Sequence, residues 1–354
     1  MTAASPLQLP GLLATSVVMG AIVVAVYLVR AMGRRWRRHR RREARSLVRS
    51  LRGYLRGQVP TARLTRAADG LESDRFWATL ERLPLLRDRR TWRLLSDALD
   101  KSRHARAERR RLRDESPWRR ELAARRLGLL PSRPTRRALR RALVRGPELV
   151  TLAAGVALAR DRDFATLRWL LTHPRAVERR TRSALAALFG AFGRRGLPEL
   201  AAALERGLPD GTVQLAVIDA LGRGRYRGAR DRIERLLAAG GLEQRVAAAR
   251  SLGAMLANEA ATSLLAALRD EAWQVRAQAA RALGRVRALV AIQALSNRLT
   301  DPSWWVRRHA AYALGDMGTE GQRALRHVTE TSPDPYARDM AREVLERGVR
   351  LDVA

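Results

Sequence analysis

Residues 301–315 read Asp301-Pro302-Ser303-Trp304-Trp305-Val306-Arg307-Arg308-His309-Ala310-Ala311-Tyr312-Ala313-Leu314-Gly315, and just upstream stands a near copy, Asp270-Glu271-Ala272-Trp273-Gln274-Val275-Arg276-Ala277-Gln278-Ala279-Ala280-Arg281-Ala282-Leu283-Gly284. Upstream of Gly315, a small residue recurs at Gly284, Gly253, Gly222, Gly190, Ala159 and Gly128, at intervals of 31 or 32. The residue before each is Leu314, Leu283, Leu252, Leu221, Phe189, Leu158 and Leu127, all large and apolar. Eight positions before the small residue, arginine stands at Arg307, Arg276, Arg245, Arg182 and Arg120. Columns this regular mark a structural period rather than a catalytic motif.

The spacing within one unit predicts a helical hairpin. Asp301 is expected to cap the first helix and Pro302 to occupy its first turn, where the missing N–H costs nothing. Val306, Ala310, Ala313 and Leu314 share one helical face. The glycine either ends this helix or lets a neighbouring backbone pass close by. A second helix is expected over Val290, Ile292, Ala294, Leu295 and Leu299 of the preceding unit. A hairpin this short cannot bury its own apolar faces, so it stacks on its neighbours. The expected fold is therefore all-α: an α-solenoid of about seven helical hairpins over residues 114–354, closed by a last helix from Tyr336 to Glu346.

The pattern Asp-x-x-x-x-Val-Arg-x-x-Ala-Ala-x-Ala-Leu-Gly resembles the short bacterial HEAT repeat, also called the phycobilisome-lyase-like HEAT repeat. The resemblance is close over 270–330, recognisable over 211–269 and degenerate before residue 200. It implies a scaffold fold in which the Val-Arg arginine joins Asp-bearing turns, pairing Arg276 with Asp270 and Arg307 with Asp301; Arg245 lacks the matching acid, because Ala239 and Gly240 stand there. It also implies protein partners, among them membrane enzymes such as glycosyltransferases of surface-polysaccharide synthesis. The lyase in the name does not follow from the fold.

Ahead of the array, residues 11–29 read GLLATSVVMGAIVVAVYLV without a charge. As a helix they would reach about 28 Å, the thickness of a bilayer's hydrocarbon. Arginines follow immediately, so the positive-inside rule places the N-terminus outside and the rest of the chain in the cytoplasm, at the inner (plasma) membrane. The expected organisation is a short extracytoplasmic tail (1–10), a transmembrane helix (11–30), a basic juxtamembrane helix (31–58), a helical linker or cap (59–113) and the solenoid (114–354). Arg34, Arg35, Trp36, Arg37, Arg38, Arg40, Arg41 and Arg42 are candidate lipid-headgroup contacts. Leu47, Val48, Leu51, Tyr54 and Leu55 form one stripe, which suits either a membrane surface or the helices that follow.

The 354 residues carry a formal net charge of +34, and Lys101 is the sole lysine among 69 basic residues. Residues 30–145 hold 37 basic against 12 acidic residues, whereas residues 146–354 hold 32 against 23, so the excess lies toward the N-terminus. Cysteine is absent, which excludes disulfides, thiolate metal sites and cysteine catalysis. The five histidines have no metal-ligand spacing, and no nucleophile-elbow, phosphate-loop, kinase or zinc-hydrolase motif occurs. No enzyme, cofactor or metal is expected. Asp161 and Asp163 read as caps and solvated charge.

Aromatic residues carry the best candidate interface. Trp305, Arg308 and Tyr312 are expected to face a partner, since Trp and Arg are enriched at hot spots. Trp273 and Trp304 are expected to pack between repeats. Second helices carry Arg230, Arg232 and Arg235, along with Arg136, Arg137, Arg140, Arg141 and Arg168, a groove that would attract an acidic partner or be neutralised by its own acids. The leading function is a membrane-anchored cytoplasmic scaffold; the alternatives are a basic solenoid binding nucleic acid, disfavoured by the anchor, and a lyase or chaperone-type repeat protein.

Overall fold

The computed structural model describes residues 43–83, 88–177, 180–208 and 210–351. The expected transmembrane segment 11–30, the expected tail before it and the headgroup candidates from Arg34 to Arg42 lie outside them. Among the described residues there are twenty α-helices and no strand, and no helix is long and apolar enough to cross a membrane. The chain packs as two units that divide at Arg113/Asp114, with Leu129–Thr135 belonging to the first.

Unit 1 contains α1 (residues 43–55), α2 (Thr61–Asp69), α3 (Ser73–Glu81), α4 (Arg89–Leu99) and α5 (Arg103–Arg111). The stripe on α1 is not a free surface: Leu47 and Leu51 are buried with Leu64, Phe76, Leu80, Trp92, Leu95 and Leu99, and Val48, Tyr54 and Leu55 pack against that core. Each buried leucine contributes about 1.5–3 kcal/mol of transfer free energy, which exceeds what one surface contact with headgroups offers. Trp77 and Leu80 are buried, while Leu94 faces outward. His104 stacks on Phe76 with ring centroids 4.6 Å apart and places Nε2 3.1 Å from the Ala68 carbonyl. Residues 129–135 are fastened through Asp100, whose buried carboxylate takes hydroxyl bonds from Ser132 and Thr135 and an ion pair from Arg109.

Unit 2 is an α-solenoid. Its hairpins are α6 (Pro117–Leu127) with α7 (Arg133–Arg145, whose first turn lies in unit 1), α8 (Glu148–Arg160) with α9 (Phe164–Thr172), and α10 (Arg182–Gly190) with α11 (Leu197–Arg206). They continue as α12 (Gly211–Arg223) with α13 (Arg230–Ala239), α14 (Leu242–Met255) with α15 (Ala261–Ala267), α16 (Trp273–Val286) with α17 (Ile292–Asn297), and α18 (Trp304–Asp316) with α19 (Gly318–Thr331); α20 (Pro335–Leu351) ends the stack against α18 and α19. First helices pack chiefly on the first helices of adjacent units, α12 on α14, α14 on α16 and α16 on α18. They are flanked on both sides, which is why alanine fills them: Ala277, Ala279, Ala280 and Ala282 of α16 are all buried. Second helices are one-sided, as in α13, where Ile233, Leu236 and Leu237 point inward. After α16, Val290 is exposed and only Leu295 and Leu299 of the expected stripe are fully buried, because α17 is just six residues long.

The periodic glycine ends the first helix at Gly128 and Gly190, but lies inside it at Gly222, Gly253, Gly284 and Gly315. Gly284 lies inside α16, and a Cβ there would sit 2.6 Å from the Ala313 Cα of α18. Close approach of backbones is what the column encodes at Gly128, Gly222, Gly253 and Gly284. Three residues after the column the backbone turns left-handed: Arg162, Gly193, Arg225, Leu256, Arg287 and Gly318 all have φ between 49° and 69°, and at Leu256 and Arg287 this residue caps the helix. At Arg287 the amide donates to the Gly284 carbonyl at 3.0 Å and the Ala288 amide to the Leu283 carbonyl at 3.1 Å, the paired bonds of a Schellman motif.

Candidate functional site

Arg245 and Arg276 each grip the carboxylate of the following unit and a carbonyl of their own. Arg276 donates from Nε and Nη2 to the two carboxylate oxygens of Asp301 at 2.8 and 2.9 Å, and from Nη1 to the backbone carbonyl of Asp270 at 2.9 Å. The expected pairing with the Asp270 carboxylate is thus shifted by one repeat. Arg245, which lacks an acid in its own unit, bonds Asp270 at 3.1 Å and takes the Gly240 carbonyl in its own turn. Arg307 donates to the Asp301 carbonyl at 3.0 Å, not to its carboxylate; one period on stands Ser332, and the guanidinium instead lies over the Tyr336 ring, 5.5 Å from its centroid. The ladder ends there.

Asp301 is also not the helix cap expected of it. The cap residue is Ser303, whose amide donates to the Asp301 carboxylate at 3.0 Å, so Asp301 and Pro302 form the turn ahead of α18. Asp301 is 2% exposed. Burial alone would push its carboxyl up, but the Arg276 hydrogen bonds, the Ser303 amide and the Arg276 charge outweigh that and hold it below its ordinary value. The same bonds hold the Arg276 guanidinium above its own, against the pull of burial. Asp163 caps α9 as expected, accepting from the Thr166 amide, but neither it nor Asp161 is solvated: both are buried, pairing with Arg140 at 2.7 Å and Arg136 at 3.0 Å.

On α18 the aromatic candidates come together. Trp304 and Trp305 meet edge to face with centroids 4.8 Å apart. Arg308 lies between Trp304 and Tyr312, 5.2 and 4.8 Å from their ring centroids. Tyr312 donates to Glu343 of α20 at 3.2 Å and accepts from Arg347, which pairs with Glu343 at 3.2 Å. Trp305 is 50% exposed, and Trp273 and Trp304 are 41% and 44% exposed, so the latter two stand at the surface rather than between repeats. The reason is the close approach of first helices: with alanine and glycine at the seam, no space is left for an indole. The result is a firm apolar ledge with a sandwiched cation, held from below by α20.

Arg230, Arg232 and Arg235 do not join it. They lie on α13, three units earlier, where Arg230 pairs with Asp231 at 2.8 Å and Glu234 at 3.4 Å, and Arg235 with Glu205 at 2.5 Å. Arg168 is likewise matched by Glu199 at 2.8 Å. Much of the second-helix charge is therefore spent on internal acids. One bracket escaped the sequence reading: Asp219 on α12 ties Arg182 of α10 to Arg250 of α14 at 2.8 and 2.6 Å. Among the described residues no group of three His, Cys, Asp or Glu is placed to hold a metal ion.

This geometry, arginines and aspartates linking stacked helical hairpins, has a match among known families. Residues 261–346 match the HEAT-repeat family. The HEAT units of that segment are the two with the closest sequence period and their flanks. Solved structures similar to the chain include human deoxyhypusine hydroxylase in complex with glycerol (20% identity, covering 81% of this chain and 98% of that one, TM-score 0.31). Others are a Kap121p mutant (13%, covering 80% and 39%, TM-score 0.42) and UNC-45 from Drosophila melanogaster (18%, covering 82% and 42%, TM-score 0.34). No curated protein sequence matches the chain significantly.

Proposed function

We propose that the protein is a membrane-anchored scaffold that faces the cytoplasm and holds a partner protein on its solenoid. The fold supports this reading, because HEAT-type stacks present extended surfaces used for protein binding. The observation that carries it is the Trp304–Trp305 ledge with Arg308 stacked against it. Rigid, half-exposed indoles beside an ordered guanidinium lose little entropy on docking and are the residue types that dominate interface energies. A partner offering an apolar or aromatic side chain beside a carboxylate would complete it. Anchoring rests on the uncharged run 11–29 and the arginines after it.

The test uses the full-length chain in its native membranes with a photoreactive residue at position 305 or, as control, at 235. A discrete protein adduct from position 305, absent from 235 and lost with Arg308→Glu, is the expected result. Equal adducts from both positions, or none from 305, would overturn the placement. Alkaline extraction of the membranes tests the anchor separately: the chain stays in the pellet if residues 11–29 span the bilayer and is released if they do not.

A basic solenoid for nucleic acid is the second reading, favoured by a 720 Å³ groove whose rim includes Arg223, Arg225 and Arg285. Salt-sensitive, micromolar DNA retention on filters would favour it over the scaffold.

A further inference from the structure

Unit 1 contains a groove of about 830 Å³ between α1 and α3. Arg45, Arg49 and Arg52 of α1 border it at spacings of four and three, which puts all three guanidinium groups on one side of that helix. Arg82, at the end of α3, borders it as well, and Ala44, Val48, Ala78 and Leu83 supply an apolar lining. We propose that this groove is a binding site for an anionic phospholipid, with the arginines on the phosphate and the apolar lining against the first part of the acyl chains.

The charge pattern argues for an anionic occupant. Arg45, Arg49, Arg52 and Arg82 are exposed and have no carboxylate within ion-pair distance among the described residues. The fifth arginine, Arg75, is already held by Glu43 at 2.5 Å and Glu72 at 3.3 Å, so it braces the wall. Other walls of the fold do pair their arginines with acids, as at Arg276–Asp301, Arg182–Asp219 and Arg140–Asp163, whereas here four unpaired arginines border one groove. Like charges three and four residues apart on one helix cost about 0.2–0.5 kcal/mol per pair. An anion bridging them reverses that sign, and guanidinium binds phosphate oxygens in bidentate fashion.

The lining decides between a free anion and an amphiphile. Inorganic phosphate would satisfy the rim and leave the half-buried Val48 and Ala78 against water. A phosphate carrying acyl chains covers both. The position of the groove in the chain agrees, in a way that rests on the anchor reading: only the segment 31–42 separates Arg30 from Glu43. Fully extended, that segment reaches at most about 45 Å, so a bilayer crossed by residues 11–29 lies within that distance of α1.

The experiment uses the full-length chain in maltoside micelles. It is incubated with equimolar dioleoyl phosphatidylglycerol and dioleoyl phosphatidylcholine, or with inorganic phosphate, and retained molecules are counted by native mass spectrometry. Wild type is expected to retain phosphatidylglycerol preferentially, and Arg49→Gln/Arg52→Gln to retain at least one fewer, with affinity down about tenfold for the loss of two charge-assisted contacts. Arg49→Lys/Arg52→Lys should keep most of the binding, and Val48→Glu should lose it. Circular dichroism checks that each variant is helical. Unchanged phosphatidylglycerol retention in both the glutamine variant and Val48→Glu would overturn the proposal. So would phosphate binding as tightly as the lipid, which would make this a simple anion site, or equal retention of phosphatidylcholine, which would make it merely apolar. Alkaline extraction separates this from anchoring, since loss of lipid selectivity with the chain still in the membrane pellet concerns the groove alone.

Discussion

Gly284→Ala sets two known effects against each other. In an ordinary helix interior this change adds about 1 kcal/mol of stability, because alanine is the best helix former and glycine among the worst. Here the new methyl would lie 2.6 Å from the Ala313 Cα and 2.7 Å from its Cβ. Neither atom has a rotamer through which to escape, and ordinary carbon contacts are about 3.5–4.0 Å, so α16 and α18 must separate by roughly 1 Å. Overpacking of that kind costs about 1–3 kcal/mol. The clash therefore wins, for a net loss of up to about 2 kcal/mol. Gly190 belongs to the same column, but nothing lies within 4 Å of its would-be Cβ. Gly190→Ala should stabilise by a few tenths to about 1 kcal/mol. Long repeat arrays do not unfold as one cooperative step, so the assay is local: amide hydrogen exchange in the full-length chain. Amides of α16 and α18 should exchange up to about 30-fold faster in Gly284→Ala, while those of α10 slow in Gly190→Ala. Adding Ala313→Gly should rescue only in part, since the Ala313 Cα remains in the way. If both glycines respond alike, backbone approach is not what fixes the column.

Other expected outcomes rest on single contacts. Arg287→Gly should stabilise by about 0.5–1 kcal/mol, read as slower amide exchange at the end of α16, because φ of 49° strains an L-residue and suits glycine. Arg276→Met should cost about 3 kcal/mol by leaving the buried Asp301 carboxylate with only the 3.5 Å ion pair from Arg298, and Arg276→Met/Asp301→Leu should recover most of that in a double-mutant cycle. The folded Asp301 carboxyl sits below its ordinary value, so its contribution is complete above the unfolded carboxylate range near 3.9 and is lost as pH falls through the lower folded value. Asp301→Asn should remove that acid-limb slope from pH-dependent melts. Burial lowers the His104 pKa, so unit 1 should be fully stable above about pH 6.5 and weaken as pH falls below it, a trend His104→Gln should flatten.

The hairpin period was legible because stacking repeats the same packing problem: the small residue, the leucine before it and the arginine eight before it each answer a constraint that returns in every unit. Turn chemistry was harder to read. Four of the six left-handed positions carry arginine or leucine, so the usual glycine signal marks only Gly193 and Gly318. The Asp301 turn mimics a cap at the level of residue types, and only its bond from Ser303 places the helix start two residues later. Trp305, Arg308 and Tyr312 could be picked from composition and spacing. Their support from Glu343 and Arg347 could not, since it comes from a separate helix, α20, far along the chain. The α1/α3 groove was hidden for the same reason, because its walls meet only once unit 1 has folded.

The claim that each helical pair is stable only by leaning on its neighbours is tested most directly by one buried deletion read along the whole chain. Leu314→Ala removes a fully buried side chain from α18, at a cost of about 2–5 kcal/mol. Amide protection should fall most in α18, less in the adjoining α16 and α20, and not at all in α8. Equal loss in α8, or loss confined to α18 with both neighbours untouched, would contradict a stack held together by nearest neighbours.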